Sequence, residues 1–169
     1  MDTIECILTR RSIRKFERKP IPKEMIDQLL RAAMAAPSAG NQQPWHFVVI
    51  DDRALLDAIP SIHPYAAMTA EAPVAILVCG DLKVEKHKDF WTQDCSAATE
   101  NLLLAAHALG LGAVWTGIFP RQDRLQGYQK LIELPESIIP LALIPIGYPA
   151  EKKEAGNRYD PARVHHNAW

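Results

Sequence analysis

The chain carries no glycine-rich phosphate loop: its eight glycines form neither a GxGxxG nor a GxxxxGKS pattern. The sequence signatures of a Rossmann dinucleotide fold and of a P-loop nucleotidase are therefore missing. It also lacks GxSxG or any comparable nucleophile motif, so hydrolysis through a serine elbow is not signalled. Cysteine is scarce. Cys6, Cys79 and Cys95 are odd in number and have no CxxC spacing, which supports neither a disulfide framework nor a zinc site. They read as buried or half-buried thiols. The histidines include the pair His165-His166, but no HxxxH or HExxH spacing gives them a metal-binding pattern, so surface or structural roles are expected. No apolar run approaches the roughly 20 residues that cross a bilayer. Met1-Asp2-Thr3-Ile4-Glu5 lacks the basic-then-apolar opening of a signal peptide. A cytoplasmic protein without membrane contact is the default expectation. Strong charge of either sign is absent too: a formal net charge of −1 argues against a general nucleic-acid binder.

What is present fits one globular domain over residues 1–169, with 48% hydrophobic and 23% charged residues. Residues 2–9 read as a short helix with Asp2 as N-cap and Ile4, Ile7 and Leu8 on one face. A second helix, from about Lys23 to Ala35, places Met25, Ile26, Leu29, Leu30 and Ala33 at helical spacing, and Pro37 stops it. Residues 47–50 and 73–79 are apolar strands, separated by helical patterns at 53–59 and 64–71. Residues 81–93 look like a polar surface excursion. The stretch 94–109, rich in alanine and leucine, predicts a central buried helix whose small residues let another helix approach. A short helix near 122–132 and a third strand over 138–146 follow. The simplest account is one α+β domain with a mixed sheet. The polar tail ends in Trp169, which is expected to pack on a partner subunit or on the chain's own body.

Two segments carry most of the functional signal. In Arg10-Arg11-Ser12-Ile13-Arg14-Lys15-Phe16, an extended backbone would place Arg10, Ser12 and Arg14 on one face. Forked guanidinium donors with a hydroxyl suit a phosphate. A charged surface with ion pairs to residues such as Glu17, or a DNA-contacting arm, would use the same residues. The second segment is Pro37-Ser38-Ala39-Gly40-Asn41-Gln42-Gln43-Pro44-Trp45-His46-Phe47. Its amides combine donor and acceptor and suit the edge of a polar planar ring, although a self-satisfied turn cluster would look alike. In Trp115-Thr116-Gly117-Ile118, the glycine lets a backbone N–H approach a ligand closely, or simply makes a turn. Together the segments point to a phosphorylated cofactor with a planar ring.

At these residues the chain resembles the nitroreductase family of FMN-dependent oxidoreductases, nearly end to end. The resemblance rests on Arg10–Phe16, the loop Ser38–Phe47, the helix segment Asp94-Cys95-Ser96-Ala97-Ala98-Thr99-Glu100-Asn101, Gly110-Leu111-Gly112-Ala113-Val114-Trp115, and Pro145-Ile146-Gly147-Tyr148-Pro149 with the following Arg158. It implies a three-layer α/β/α sandwich with a mostly antiparallel central sheet, in an intertwined homodimer with FMN at the subunit interface. It also implies that Arg10, Ser12 and Arg14, with Arg11 nearby, hold the phosphate and ribityl end, and that Arg158 adds charge from the tail. Asn41 and Gln43 would bond the ring edge and ribityl hydroxyls. Pro37, Ser38 and Ala39 would come from the other subunit. The backbone of Thr116 and Gly117 would face the reactive ring nitrogen.

On this resemblance the cofactor carries the chemistry, and no catalytic side chain or metal is implied. NADH or NADPH would deliver hydride. A nitroaromatic, quinone, free flavin or enone would then accept electrons at the same face, a ping-pong scheme. His63 to Tyr65, Phe90, Trp91 and Phe119 are candidates for selecting the acceptor, with plain packing as the other reading. A chain of 169 residues has no room for the larger lids of longer relatives. The alternatives are a flavin-binding or redox-sensing protein without turnover, related dehalogenating or flavin-cleaving chemistry on the same fold, and a nucleic-acid module using the basic cluster at 10–19.

Overall fold

A computed structural model describes all residues, Met1–Trp169. Two long apolar runs form the centre of a five-stranded sheet. They are β2 (Val74–Asp81) and β5 (Ile138–Gly147), flanked by β1 (Trp45–Ile50), β3 (Gly112–Ala113) and β4 (Thr116–Gly117). The order is β1-β2-β5-β3, with β4 also paired to β5. Every ladder is antiparallel. The mixed sheet expected above is thus corrected: the parallel pairing is confined to an isolated bridge between Ser12 and Ala113.

The strand patterns explain the layers. Alternate residues of a strand face opposite sides, and β2 is apolar at successive positions because both sides are covered. Val74, Ile76 and Val78 meet Leu29 and Ala33 of α2 (Lys23–Met34) and Ala98, Leu102 and Ala106 of α4 (Trp91–Ala108). Ala75, Leu77 and Cys79 face the other core, with Leu56 and Ile59 of α3 (Arg53–Ile62) and Leu125 and Tyr128 of α5 (Gln122–Leu131). The result is an α/β/α sandwich.

One helix forms as expected and another departs from its expected bounds. The helix α1 (Thr3–Thr9) is capped by Asp2, whose side chain accepts the Glu5 N–H at 2.9 Å. Its apolar stripe, however, points outward: Ile4, Ile7 and Leu8 are 65%, 50% and 64% exposed. The inward face is made by Cys6, whose thiol donates to Leu104 O, and by Thr9, which meets His107 Nε2 at 2.9 Å. The central helix α4 begins at Trp91, three residues earlier than expected, because the indole is an anchor. It lies against Gly80, where an added Cβ would come within 2.4 Å of the ring. Trp91 is buried rather than part of a surface excursion.

No helix is long and apolar enough to cross a membrane. The tail over residues 152–169 is exposed throughout. Trp169 does not pack on the chain's own body: it is fully exposed and stacks on His165 at 4.5 Å.

Candidate functional site

The basic N-terminal segment is held by its apolar residues. Ile13 and Phe16 are buried. The Ile13 N–H donates to Ala113 O at 3.0 Å, and Phe16 bridges to Pro149. Gly112 makes room for Ile13: a Cβ there would lie 2.7 Å from the isoleucine side chain. With Ile13 turned in, Arg14 is exposed and lines a cleft with Thr116 and Gly117. Its backbone N–H donates to Glu151 Oε1 at 2.5 Å, and that bond is the main reason the Glu151 carboxyl is held below its ordinary pKa. Lys153 pairs with Glu151 at 3.3 Å and donates to Ser12 O at 2.8 Å. Arg10 points elsewhere, to Glu100 at 3.5 Å. Arg11 leans on the tail at Gly156. Arg158 lies in the exposed tail. Of the residues singled out in the sequence, the chain by itself joins Arg14, Thr116 and Gly117 in one cleft.

That cleft, about 430 Å³, is also lined by His63, Tyr65, Met68, Trp115 and Arg124, and no carboxylate faces it. Its floor is an open sheet edge. The Val114 N–H donates to Pro145 O at 3.3 Å and the Ile118 N–H to Leu141 O at 2.9 Å. In an antiparallel ladder the N–H groups alternate between inward and outward. Val114, Thr116 and Ile118 are therefore directed at β5, while the Gly117 N–H is turned away from the sheet. The Thr116 hydroxyl reinforces this register by donating to Leu143 O at 2.8 Å. Gly117 O is taken by Arg124 Nη1 at 2.6 Å. A Cβ added to Gly117 would meet nothing within 4 Å, so the space beside it is open.

The wall behind this edge is polar, with His63 and Tyr128 buried in it. His63 is wholly buried, with Nδ1 3.1 Å from the Tyr128 hydroxyl. Burial, helped by the Arg124 charge, lowers the His63 pKa from 6.5 to about 4, so the ring is neutral at pH 7. Burial likewise raises the Tyr128 phenol. The Arg124 guanidinium lies 5.3 Å from the centre of the Tyr65 ring. His63 Nε2 and Arg124 Nε are buried with no hydrogen-bond partner.

The amide loop is a separate unit at the start of α4. Asp94, buried in the first helical turn, accepts the Ala39 N–H at 2.9 Å and Gln42 Nε2 at 2.6 Å. Gln42 Oε1 in turn accepts the Lys86 and His87 N–H groups at 2.8 and 2.9 Å. Sequence reasoning passed over Gln42 in favour of its neighbours, since a buried and an exposed glutamine look alike in a polar run. Ser38 Oγ accepts the Gln43 N–H at 3.0 Å, and Gln43 Nε2 donates to Asn41 Oδ1 at 2.8 Å. Gly40, Asn41 and Gln43 all have positive φ. Pro37 through Gln43 thus form one unit, and none of it lines the Arg14–Gly117 cleft.

Among the aromatic candidates, Tyr65, Phe90 and Phe119 are exposed. For Trp91 the packing reading holds: it belongs to the core, with Phe119 packed edge-on at 5.0 Å. No group of three or more His, Cys, Asp or Glu side chains converges as a metal site. The cysteines are all free and buried, and burial pushes Cys79 and Cys95 up to about 12.

An α/β/α sandwich with a cationic cleft on a glycine-bearing sheet edge has counterparts among known proteins. The family model described as "Nitroreductase family" matches residues 7–64 and 61–148, and the chain belongs to that family. A Methanothermobacter thermautotrophicus protein, provisionally named NADH dehydrogenase/NAD(P)H nitroreductase, is 53% identical over 169 residues, covering 100% of this chain and 88% of that one. A solved Parabacteroides distasonis structure with the same provisional name has a TM-score of 0.95 and 47% identity, covering 99% of this chain and 98% of the other. A Desulfovibrio desulfuricans structure, provisionally a nitroreductase and in complex with FMN, has a TM-score of 0.86 and 30% identity, covering 100% and 99%.

Proposed function

We propose that the protein is an FMN-dependent oxidoreductase of one domain. It takes electrons from NADH or NADPH and passes them to a small acceptor such as a nitroaromatic, a quinone or a flavin. The observation that carries this reading is the outward Gly117 N–H on the floor of a cleft with two guanidinium groups and no carboxylate. Such a donor set fits a flat, electron-accepting ring bearing an anionic chain. The FMN complex of the Desulfovibrio relative supports it.

When bound, FMN supplies the hydride and electron transfer. The chain supplies position and field. Ser12 and Arg14, with Arg11 nearby, hold the phosphate and ribityl end. Arg10 joins them with the donors not engaged by Glu100, and Arg158 joins from the tail. The Gly117 N–H meets the ring beside Thr116. Asn41 and Gln43 provide amides for the ring edge and ribityl hydroxyls. They are locked to Ser38 in one loop, so a second copy that lends Pro37, Ser38 and Ala39 lends Asn41 and Gln43 as well. A homodimer follows on this reading. It also covers the outward stripe of α1 and gives the exposed tail a surface to lie on. Three buried free thiols suit the reducing cytoplasm. Donor and acceptor share one cleft in turn, a ping-pong scheme whose double-reciprocal plots should be parallel.

The test is the visible absorption of the purified protein under anaerobic conditions, before and after NADH and then NADPH. Bleaching of a flavin spectrum within seconds supports the reading and identifies the preferred donor. A yellow protein that resists bleaching makes it a flavin-binding or redox-sensing protein. A colourless protein that takes up no added FMN overturns the proposal.

A further inference from the structure

We propose that Arg124 is a positioning residue of the cleft: it fixes Gly117 so that its N–H faces the ring, and its charge favours the reduced ring over the oxidised one. The proposal rests on the FMN reading above.

Gly117 needs such a device. It sits in a two-residue strand at the sheet edge, has no side chain, and carries the outward N–H. Its position depends on the bonds made by its neighbours and by its own carbonyl. Thr116 is fixed through its hydroxyl to Leu143 O, and Gly117 O is held by Arg124 Nη1. Arg124 is itself well anchored. It stands in the first turn of α5, whose Leu125 and Tyr128 are buried in the core, and its guanidinium lies over the Tyr65 ring, 5.3 Å from the ring centre.

The charge of Arg124 is not spent elsewhere. The adjoining Asp123 pairs with Arg121, and no carboxylate lines the cleft. His63 is neutral and adds no competing charge. An unneutralised guanidinium with a buried, unpartnered Nε–H is costly in an apoprotein. It becomes favourable beside a ligand that gains negative charge. Addition of hydride to a neutral oxidised flavin leaves one negative charge on the ring, with both electrons and the proton accounted for. A cation set behind the Gly117 edge stabilises that form more than the oxidised one.

The experiment compares wild type, R124Q and R124K, all loaded with FMN, by the midpoint potential of the bound flavin and the affinity for oxidised FMN. Thermal unfolding of each variant is measured beside them. In R124Q the preference for reduced over oxidised FMN should fall about tenfold, a shift of about 30 mV to more negative potential for a two-electron couple. R124K keeps the charge but loses the fork and should lie between the two, which also covers a failure of R124Q to fold. If wild type binds FMN and both folded variants keep its potential, the proposal is overturned while the FMN reading stands. A wild type that binds no FMN overturns both.

Discussion

At the scale of single residues, Gly117 and His63 make opposite demands. Gly117 is glycine for the sake of the empty space beside it, and its backbone would accept a side chain without a clash. Gly117→Ala should therefore unfold at the wild-type temperature yet bind FMN at least tenfold more weakly, as read by flavin fluorescence. His63 is costly in acid. Its folded pKa of about 4 lies below the unfolded value of 6.5, so the unfolded chain binds the extra proton between those limits. Its contribution is complete above pH 6.5 and is lost as pH falls toward 4, by at most about 3 kcal/mol. Urea midpoints across pH 4–7 should fall on the acid side for wild type and fall less for His63→Gln. The demand at Gly117 was readable in the chain, where a glycine lets a backbone N–H come close to a ligand; the demand at His63 was not. Residue type announced the guanidinium groups and the glycine. The pairing of His63 with Tyr128, and of Arg124 with Gly117 O, joins helices to loops that only the fold brings together.

At the scale of elements, the junction between α4 and the loop 37–43 is the most interdependent part of the molecule. Asp94 satisfies Ala39 and Gln42, and Gln42 satisfies Lys86 and His87, so one carboxylate organises two loops. Asp94→Ala leaves a buried amide group and a backbone N–H without partners. It should cost about 2–3 kcal/mol and speed proteolytic cleavage within 37–43 and 82–90, checked by urea titration and mass spectrometry of the fragments. The regular elements were legible because their patterns are strong: the apolar run of β2, the alanine-leucine face of α4, and Pro37 after α2. The helix α1 and its apolar stripe formed as read, and the chain itself leaves that stripe uncovered. One reading failed for reasons of packing. Trp91 looked like part of a polar excursion until Gly80 showed the space its ring fills.

At the scale of the whole molecule, the cleft with Arg14 and the amide loop are separate, and an 18-residue stretch, 152–169, lies exposed. Sedimentation should give twice the 18.9 kDa of one chain. Removal of residues 154–169 should leave a folded protein that sediments more slowly and holds FMN less tightly. A full-length monomer with full FMN affinity would sink the dimer. The homodimer was read only from the family resemblance, because exposed apolar surface such as that of α1 carries no mark of what covers it.

The burial of the cysteines matters for the proposed acceptors. Quinones and the reduced products of nitroaromatics are electrophiles that consume thiolates. Cys79 and Cys95 are sealed within the sandwich with pKa values pushed up to about 12. A thiol in that state is neither ionised nor reachable. The same double-sided packing that builds the sheet would thus let the enzyme turn over alkylating compounds without being titrated by them.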